Sequence, residues 1–267
     1  MNTIKRAFLC ECAASVAIAP ETVSLEFVWP GFAPRAGQFF LIKPRRSGVF
    51  LGRPICVADW KGSFDTSGIL RFIVARRGKG SRELADIKPG EEADLIGPLG
   101  NYWAMADFFS DTNESSGPVA LVGGGIGIAP LLALEKELAG GKLGSVPFDF
   151  YAGFRFAPFG LESLNSENMR SLVIATEYGS EGLRGHVTDF FTPAGYSAVF
   201  VCGPELMLKA VVDSCRAAGV PCYVSLEKHM ACGVGACLGC TVKTAGGNRR
   251  CCVEGSIFNA GEVCFDT

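Results

Sequence analysis

The fold of this chain is decided by residues 119–138, VALVGGGIGIAPLLALEKEL. The first four residues are a short apolar run of the kind found in buried strands, and residues 130–138 have the pattern of a helix. Small residues between a strand and a helix let a dinucleotide pyrophosphate approach the helix N-terminus, where free N–H groups and the helix dipole favour anions. The alternative is that the glycines serve packing alone. We predict a nucleotide-binding loop that includes Gly124, Gly125 and Gly127.

Downstream of this loop, short apolar runs alternate with helical stretches. Strands are predicted at 148–152, 172–175 and 198–201, and a helix is predicted at 204–218. Strands that alternate with helices are typical of a doubly wound parallel sheet.

Candidate ligand residues follow two of these strands, at the edge where open α/β sheets bind their ligands. Glu177 could accept hydrogen bonds from ribose hydroxyls, and Cys202, in the turn with Gly203 and Pro204, could face a nicotinamide. The alternative for Cys202 is a buried small side chain. No basic residue stands directly beside Glu177 in the sequence, and Arg184 comes seven residues later, which favours NAD over NADP.

Upstream, the first hundred residues are rich in short β-type runs. Strands are predicted at 23–29, 38–42, 69–75 and 93–96, with glycine and proline between them. Short strands at this spacing favour a small antiparallel barrel. The polar segment 110–117 is predicted to be the linker between this barrel and the parallel sheet.

Two motifs in the barrel region carry charge beside small residues. Arg53-Pro54-Ile55-Cys56 is predicted to close a strand-like region, so that the arginine reaches a flavin pyrophosphate and Cys56 lies beside the isoalloxazine. Residues 78–81, Gly-Lys-Gly-Ser, resemble a second phosphate loop that leads into a helix with Ser81 as its N-cap. The alternatives are a surface arginine and a charged turn.

The tail from about residue 224 is rich in cysteine, and six of the 12 cysteines fall between Cys232 and Cys264. The spacing Cys232-x4-Cys237-x2-Cys240, followed by Cys252, is typical of plant-type 2Fe–2S sites. Such a loop must curl tightly round the cluster, which the small residues at 233, 235 and 236 permit. A zinc site, which favours paired C-x2–4-C spacing, and inert or disulfide-bonded cysteines are the alternatives. Cys251 competes with Cys252 as the fourth ligand, and Cys264 is a further candidate.

Composition excludes several classes of protein. The chain has 267 residues, 48% hydrophobic and 19% charged, which is enough to bury cores and excludes a disordered chain. Lys and Arg number 25 against 27 Asp and Glu, so there is no basic excess to bind nucleic acid. With 2 histidines, the composition argues against a His-rich metal site.

The sequence also bears on location. The apolar run near the N-terminus is interrupted by Glu11 and closed by Pro20, which argues against a signal peptide. Residues 119–134 are too short and too glycine-rich to span a membrane. We therefore expect a cytoplasmic protein without a membrane partner, where clustered cysteines bind metal or carry redox chemistry.

The motifs occur in one order along nearly the whole chain. Arg-Pro-Ile-Cys, Gly-Lys-Gly-Ser and Gly-Pro-Leu-Gly-Asn come first, then the glycine loop and Cys-Gly-Pro, then the cysteine tail. This order resembles the ferredoxin–NADP⁺ reductase superfamily and, more narrowly, the electron-transfer subunits of class 1B dihydroorotate dehydrogenase. The most specific part is residues 227–237, together with residues 255–258 after Cys252. That last stretch aligns Cys252, rather than Cys251, with the family's fourth ligand.

The resemblance implies three domains and two bound cofactors. The domains are an FAD-binding barrel over 1–105, an NAD-binding α/β domain over 115–223 and a 2Fe–2S domain over 224–267. The family usually has serine or threonine where Cys56 stands, and an aromatic residue and an arginine where Val74 and Ala75 stand, for which Arg76 or Arg77 could substitute. The implied FAD residues are Arg53, Pro54, Ile55, Cys56, Ile73, Val74, Ala75, Gly80 and Ser81, and the implied cluster ligands are Cys232, Cys237, Cys240 and Cys252.

The resemblance also implies a function in pyrimidine biosynthesis. An FMN-containing catalytic subunit oxidises dihydroorotate, single electrons cross the cluster, and FAD returns them in pairs as hydride to NAD⁺. The chain would not oxidise dihydroorotate alone, needs no acid–base triad, and would assemble two-plus-two with its partner. One alternative is a subunit of an NAD(P)H:ferredoxin or sulfide oxidoreductase. Another is a zinc-stapled nucleotide-binding regulatory module without redox turnover.

Overall fold

A computed structural model describes residues 6–62, 67–104, 117–140, 146–164 and 167–265. The predicted linker 110–117 lies outside the described residues except for Gly117. Within these ranges no helix is long and apolar enough to cross a membrane.

The N-terminal part is a closed antiparallel barrel, as the sequence predicts. Its interior holds edge-to-face aromatic rings, with Phe40 between Trp29 and Phe72 at centroid distances of 4.8 and 5.7 Å. The first strand was not predicted. The strands, joined in the order β1-β2-β5-β4-β3-β6, are β1 (Arg6–Ala19), β2 (Thr22–Trp29), β3 (Phe39–Pro44), β4 (Arg53–Gly62), β5 (Gly68–Ala75) and β6 (Glu92–Leu99).

Two local predictions in the barrel are wrong. Arg53 opens β4 rather than closing a strand-like region, because a proline is tolerated at the beginning of a strand and Pro54 is the second residue of this one. The helix α1 (Lys79–Ala85) has Gly78, not Ser81, as its N-cap. Glycine is itself a favourable cap, and the Ser81 hydroxyl, from within the first turn, accepts the N–H groups of Arg77 and Gly78 at 3.0 Å each.

The central part is a parallel sheet. Its strands are β7 (Val119–Gly124), β8 (Phe148–Phe154), β9 (Met169–Thr176), β10 (Leu183–Arg184), β11 (Ala198–Cys202) and β12 (Cys222–Ser225), in the order β10-β9-β8-β7-β11-β12. Its two helices are α2 (Ile128–Gly140) and α3 (Glu205–Ala218). The predicted strands and helices of this part are therefore confirmed.

The two helices cover opposite faces of this sheet. Val119 and Leu121 of β7 pack into the core that holds the apolar residues of α2. Ala120 and Val122 pack into the core that holds those of α3. Because successive residues of a strand point to opposite faces, this division confirms the doubly wound arrangement.

The C-terminal part is tied to the parallel sheet. It contains a hairpin of β13 (Thr241–Thr244) and β14 (Gly247–Arg250), and then β15 (Ile257–Asn259). β15 pairs antiparallel with β12 and so becomes the seventh strand of the sheet. The proposed boundary at residue 224 falls inside β12. The domain boundaries themselves stay predictions.

Candidate functional site

The flavin motifs of the sequence meet at the mouth of the barrel. A Cβ at Gly80 would lie 3.0 Å from both Cζ and Nε of Arg53, so the guanidinium lies directly against the first turn of α1. Nη2 of Arg53 donates to the carbonyl of Leu51 at 2.8 Å, whereas Nε is buried without a partner among the described residues. A buried N–H without a partner fits a diphosphate oxygen, because a guanidinium binds such anions with charge-assisted hydrogen bonds. The residues present therefore fit the pyrophosphate of FAD.

The end of β5 offers its backbone rather than its side chains. Ile73 and Val74 are buried, with exposed fractions of 1% and 0%, and Val74 belongs to the barrel core. β4 pairs with β5 only as far as Val57 opposite Phe72. One backbone edge of residues 73–75 is thus left without a strand partner in the described chain, and it could bond to a flavin ring.

Arg76 and Arg77 could substitute for the family's arginine, and of these two Arg77 lines a cavity next to Gly203. Arg76 is engaged elsewhere, because its Nη2 lies 2.9 Å from Asp86 Oδ1 and donates to the Ala85 carbonyl. Arg77 lines a cavity of about 350 Å³ together with Gly203 and Glu227. Arg77 is therefore the better candidate for contact with a bound cofactor.

The glycine loop and the Cys202-Gly203-Pro204 turn are in direct backbone contact. A Cβ at Gly127 would lie 2.6 Å from the Cys202 carbonyl carbon, and a Cβ at Gly203 would lie 3.0 Å from Cα of Gly124. A Cβ at Gly124 would lie 2.8 Å from Pro204 Cδ, so packing requires small residues at Gly124 and Gly127. Gly125 is different, because it has φ of +54° and a Cβ there would have no neighbour within 4 Å among the described residues. It is the loop glycine most open to a nucleotide.

Glu177 has a basic neighbour in space. Nε of Arg155 lies 3.8 Å from Glu177 Oε2, and this guanidinium also lies 5.5 Å from the ring centroid of Phe156. Phe156 and Tyr178 are exposed and stacked at 5.5 Å. Arg155 follows a different strand, so its place beside Glu177 could not be read from the sequence. The sequence premise that no basic residue stands beside Glu177 therefore does not hold in space.

Three elements meet between the barrel and the sheet. Cys56 comes from β4, Cys202 ends β11, and Glu227 follows β12. Burial and then the Glu227 charge raise the pKa of Cys56 to about 12. Burial, then the proximity of Cys56 and Glu227, raise the pKa of Cys202 well above its ordinary value. The residues predicted to flank isoalloxazine and nicotinamide are thus brought together as neutral thiols beside one carboxylate.

Glu227 was missed as a site residue by sequence reasoning. Its one signal was its position as the first residue of the stretch that carries the family resemblance. No motif chemistry marks it, because its relation to Cys56 and Cys202 arises only when the barrel and the sheet pack together.

The cluster loop curls as the spacing predicts. Gly233, Gly235 and Leu238 have φ of +66°, +82° and +60°. The N–H groups of Val234 and Cys237 donate to Cys232 Sγ at 3.5 and 3.4 Å. These backbone bonds lower the pKa of Cys232 to about 6. Cys232 is therefore largely a thiolate at neutral pH, which is the form that binds iron.

The contacts of the paired cysteines favour Cys252 over Cys251. The thiol of Cys252 hydrogen-bonds to Cys240 and lies close enough to Cys232 to feel its charge; burial, then this bond, raises its pKa to about 12. Cys251 is as fully buried as Cys252, but the hydrogen bond it makes to Cys240 comes from its backbone, whose N–H donates to the Cys240 carbonyl at 3.1 Å. Cys264 is exposed, and its N–H donates to the Lys243 carbonyl at 3.1 Å. Within the described ranges, no three His, Cys, Asp or Glu side chains form a group that could hold a metal ion.

The barrel holds the cluster segment at two points. A Cβ at Gly233 would lie 2.6 Å from Leu41 Cδ1 and 3.0 Å from Leu99 Cδ1, so the loop rests on β3 and β6. Asn101 Nδ2 donates to the carbonyls of Glu254 and Ile257 at 3.1 and 2.7 Å, and its Oδ1 accepts the Ile257 N–H at 2.9 Å. The Gly-Pro-Leu-Gly-Asn turn therefore fixes the segment that follows Cys252.

Comparison with known proteins defines the class. Residues 227–264 match the family model described as the iron-sulfur cluster binding domain of dihydroorotate dehydrogenase B. The structure of an NADH-dependent reduced ferredoxin-NADP oxidoreductase is 30% identical, with a TM-score of 0.80 over 99% of this chain and 91% of that one. The ferredoxin reductase of carbazole 1,9a-dioxygenase, 20% identical over 83% of this chain and 68% of that one, shares the fold with a TM-score of 0.68. The fold and the cysteines thus define an FAD, NAD and 2Fe–2S oxidoreductase of the ferredoxin–NADP⁺ reductase type.

Curated relatives narrow the class to a family. The dihydroorotate dehydrogenase B (NAD(+)) electron transfer subunit of Clostridium perfringens is 43% identical over 230 residues, which are 86% of this chain and 87% of that protein. The subunit of the same name from Caldanaerobacter subterraneus subsp. tengcongensis is 35% identical over 93% of this chain and 94% of that protein. The chain belongs to the family of dihydroorotate dehydrogenase B electron transfer subunits, which confirms the resemblance seen in the sequence.

Proposed function

We propose that this chain passes electrons from the FMN-containing catalytic subunit of a dihydroorotate dehydrogenase, through a 2Fe–2S cluster and FAD, to NAD⁺ in pyrimidine biosynthesis. We place this activity in the cytoplasm, where thiols stay reduced and free to hold iron. The chain needs its catalytic partner, with which we expect a two-plus-two assembly.

The observation that carries the proposal is the convergence of two segments on one barrel. Cys56 of the barrel is near enough to Cys202, at the edge of the nucleotide sheet, to raise its pKa, and the cluster loop rests on Leu41 and Leu99 of the same barrel. A flavin held at the barrel mouth would therefore have the nucleotide on one side and the cluster segment on the other.

The chain's own residues would bind and orient the cofactors. Arg53 would neutralise the flavin pyrophosphate, Ser81 shapes the adjoining turn, and Gly125 leaves the nucleotide loop open. When bound, the flavin supplies the exchange between a two-electron hydride and single electrons. We assign the cluster to Cys232, Cys237, Cys240 and Cys252.

The nucleotide edge would orient NAD⁺ between the sheet and the barrel. Glu177 would accept hydrogen bonds from the ribose hydroxyls, and the neutral thiol of Cys202 would lie near the nicotinamide ring of NAD⁺. With raised pKa values, Cys56 and Cys202 carry no charge at pH 7, so Glu227 provides the negative charge at this point.

An anaerobic visible spectrum of the purified chain tests the proposal, with flavin, iron and sulfide assays before and after addition of NADH. The expected result is flavin with two irons per chain and bleaching by NADH. A colourless chain with bound zinc would contradict it and support the regulatory module instead.

The partner is tested separately. Mixed with an FMN-containing catalytic subunit, the chain is expected to form NADH from dihydroorotate and NAD⁺. The solved NADH-dependent ferredoxin-NADP oxidoreductase shares the fold at 30% identity, so ferredoxin is the acceptor to compare. Rapid turnover with ferredoxin, and none with the catalytic subunit, would replace the proposed partner.

A further inference from the structure

Polar contacts hold α2 of the nucleotide sheet against the barrel. Lys136 Nζ lies 2.5 Å from Oδ1 of Asp59 in β4. On the next residue of the helix, Glu137 Oε1 accepts the N–H of Ala36 at 2.7 Å. We call these four residues, Asp59, Lys136, Glu137 and Ala36, the interdomain clamp.

The clamp is buried on its barrel side. Asp59 is 3% exposed, whereas the side chain of Lys136 on the helix is 42% exposed. Around them, Ala58 and Ile73 of the barrel share one apolar core with residues of α2 such as Ile128. Removal of Lys136 would leave the buried carboxylate of Asp59 without its cation, so the clamp depends on this pair.

The ion pair of the clamp, Lys136 with Asp59, joins the two elements that carry the cofactor residues. β4 begins with Arg53-Pro54-Ile55-Cys56, and α2 follows directly on the turn Gly125–Gly127. At 1.5 Å per residue, Lys136 lies about 12 Å along the helix from its beginning. At about 3.3 Å per residue, Asp59 lies about 10 Å along the strand from Cys56. The clamp and the cofactor residues are thus at two ends of one rigid pair of elements.

We propose that the interdomain clamp is a positioning device that sets the distance between the flavin strand and the nucleotide loop, and hence the rate of hydride exchange. Domains of one chain move relative to one another unless their interface prevents it. A displacement of the nucleotide loop by about 1 Å is enough to slow a reaction by about a hundredfold. This inference rests on the proposed function.

The test uses the full chain loaded with FAD, mixed anaerobically with NADH in a stopped-flow instrument. Lys136→Met and Asp59→Asn remove the ion pair, and Lys136→Arg keeps the cation. Arg216→Met is the matched control, because Arg216 pairs with Asp213 at 3.0 Å on the exposed surface of α3. The limiting rate of flavin reduction, the half-saturating NADH concentration, the flavin content and the thermal midpoint are measured for each.

We expect the limiting rate of Lys136→Met and Asp59→Asn to fall by about tenfold to a hundredfold, with flavin content and half-saturating NADH nearly unchanged. Lys136→Arg should recover most of the rate, and Arg216→Met should not lose any. A lower thermal midpoint with an unchanged limiting rate would overturn the proposal that the clamp sets the rate. Loss of flavin instead of loss of rate would also overturn it, and so would a limiting rate in Lys136→Arg as low as that of Lys136→Met.

The same measurement separates this inference from the proposed function. If the wild-type flavin is bleached by NADH and the variants react equally fast, the clamp alone fails. If the wild-type flavin is bleached by dithionite but not by NADH, the proposed function fails, and the clamp fails with it because it has no hydride exchange to position.

Discussion

Gly127→Ala tests whether the glycine loop is shaped by the turn that carries Cys202. The added methyl group would lie 2.6 Å from the carbonyl carbon of Cys202 and 2.7 Å from Cα of Gly203. Both neighbours are main chain, which cannot rotate away as a flexible side chain would. The turn must therefore move as a whole, and Cys202 moves with it.

The cost follows from the contact. Overpacking of a well-packed site costs about 1–3 kcal/mol, and backbone neighbours place this variant at about 2–3 kcal/mol. Gly117→Ala is the matched control, since its nearest neighbour among the described residues is Cβ of Ser197 at 3.9 Å. A substitution without close neighbours should change the unfolding free energy by less than about 0.5 kcal/mol.

Urea unfolding followed by fluorescence measures both variants. With a slope of about 2 kcal/mol/M, Gly127→Ala should lower the midpoint by about 1 M, and Gly117→Ala should leave it in place. The rate of flavin reduction by NADH should fall in Gly127→Ala alone. Equal midpoints for the two variants would refute the reasoning, because the contact with the Cys202 turn would then carry no cost.

Three further predictions concern the cofactors and pH. Cys237→Ser should lose iron and electron transfer from the catalytic subunit while it keeps FAD and reduction of artificial acceptors by NADH; loss of FAD with iron retained would count against the assignment. Arg53→Ala should lower the flavin occupancy of the purified chain, since the buried Nε that fits a diphosphate is removed, and unchanged occupancy would remove Arg53 from the site. The ion pair with Arg250 lowers the pKa of Glu254 to about 2. A carboxyl group whose pKa is lowered by folding stabilises the folded protein at pH values above its ordinary pKa of about 4.5, and this stabilisation is lost as the pH falls towards 2. The thermal midpoint of Glu254→Gln should therefore lie below the wild-type value at pH 7 and approach it at pH 3.

The iron-sulfur segment and the doubly wound sheet could be predicted because their signals are local. The spacing from Cys232 to Cys240 requires a tight loop, and apolar runs followed by glycines require strands that end at one edge. The choice between Cys251 and Cys252 needed the family resemblance, and the contacts of Cys252 with Cys240 agree with it.

What could not be predicted depends on contacts between distant parts of the chain. β1 was missed because its alternation is broken by bulges, at Cys12 to Ala14 and at Ala17 to Ala19. Arg155 reaches Glu177 from another strand. Asn101 holds the cluster segment across more than one hundred and fifty residues. None of these pairs leaves a periodic pattern or a fixed spacing in the sequence.

The pairing of β15 with β12 has a consequence for protein engineering. The segment with the cysteines donates the last strand of the nucleotide sheet, so it is not a detachable cassette. A chain shortened to end at residue 223 would lack the second half of β12. Part of the β11 backbone would then be an unpaired edge that can hydrogen-bond to other molecules. Grafting this iron-binding segment onto another reductase would require a host sheet whose outermost strand accepts an antiparallel neighbour.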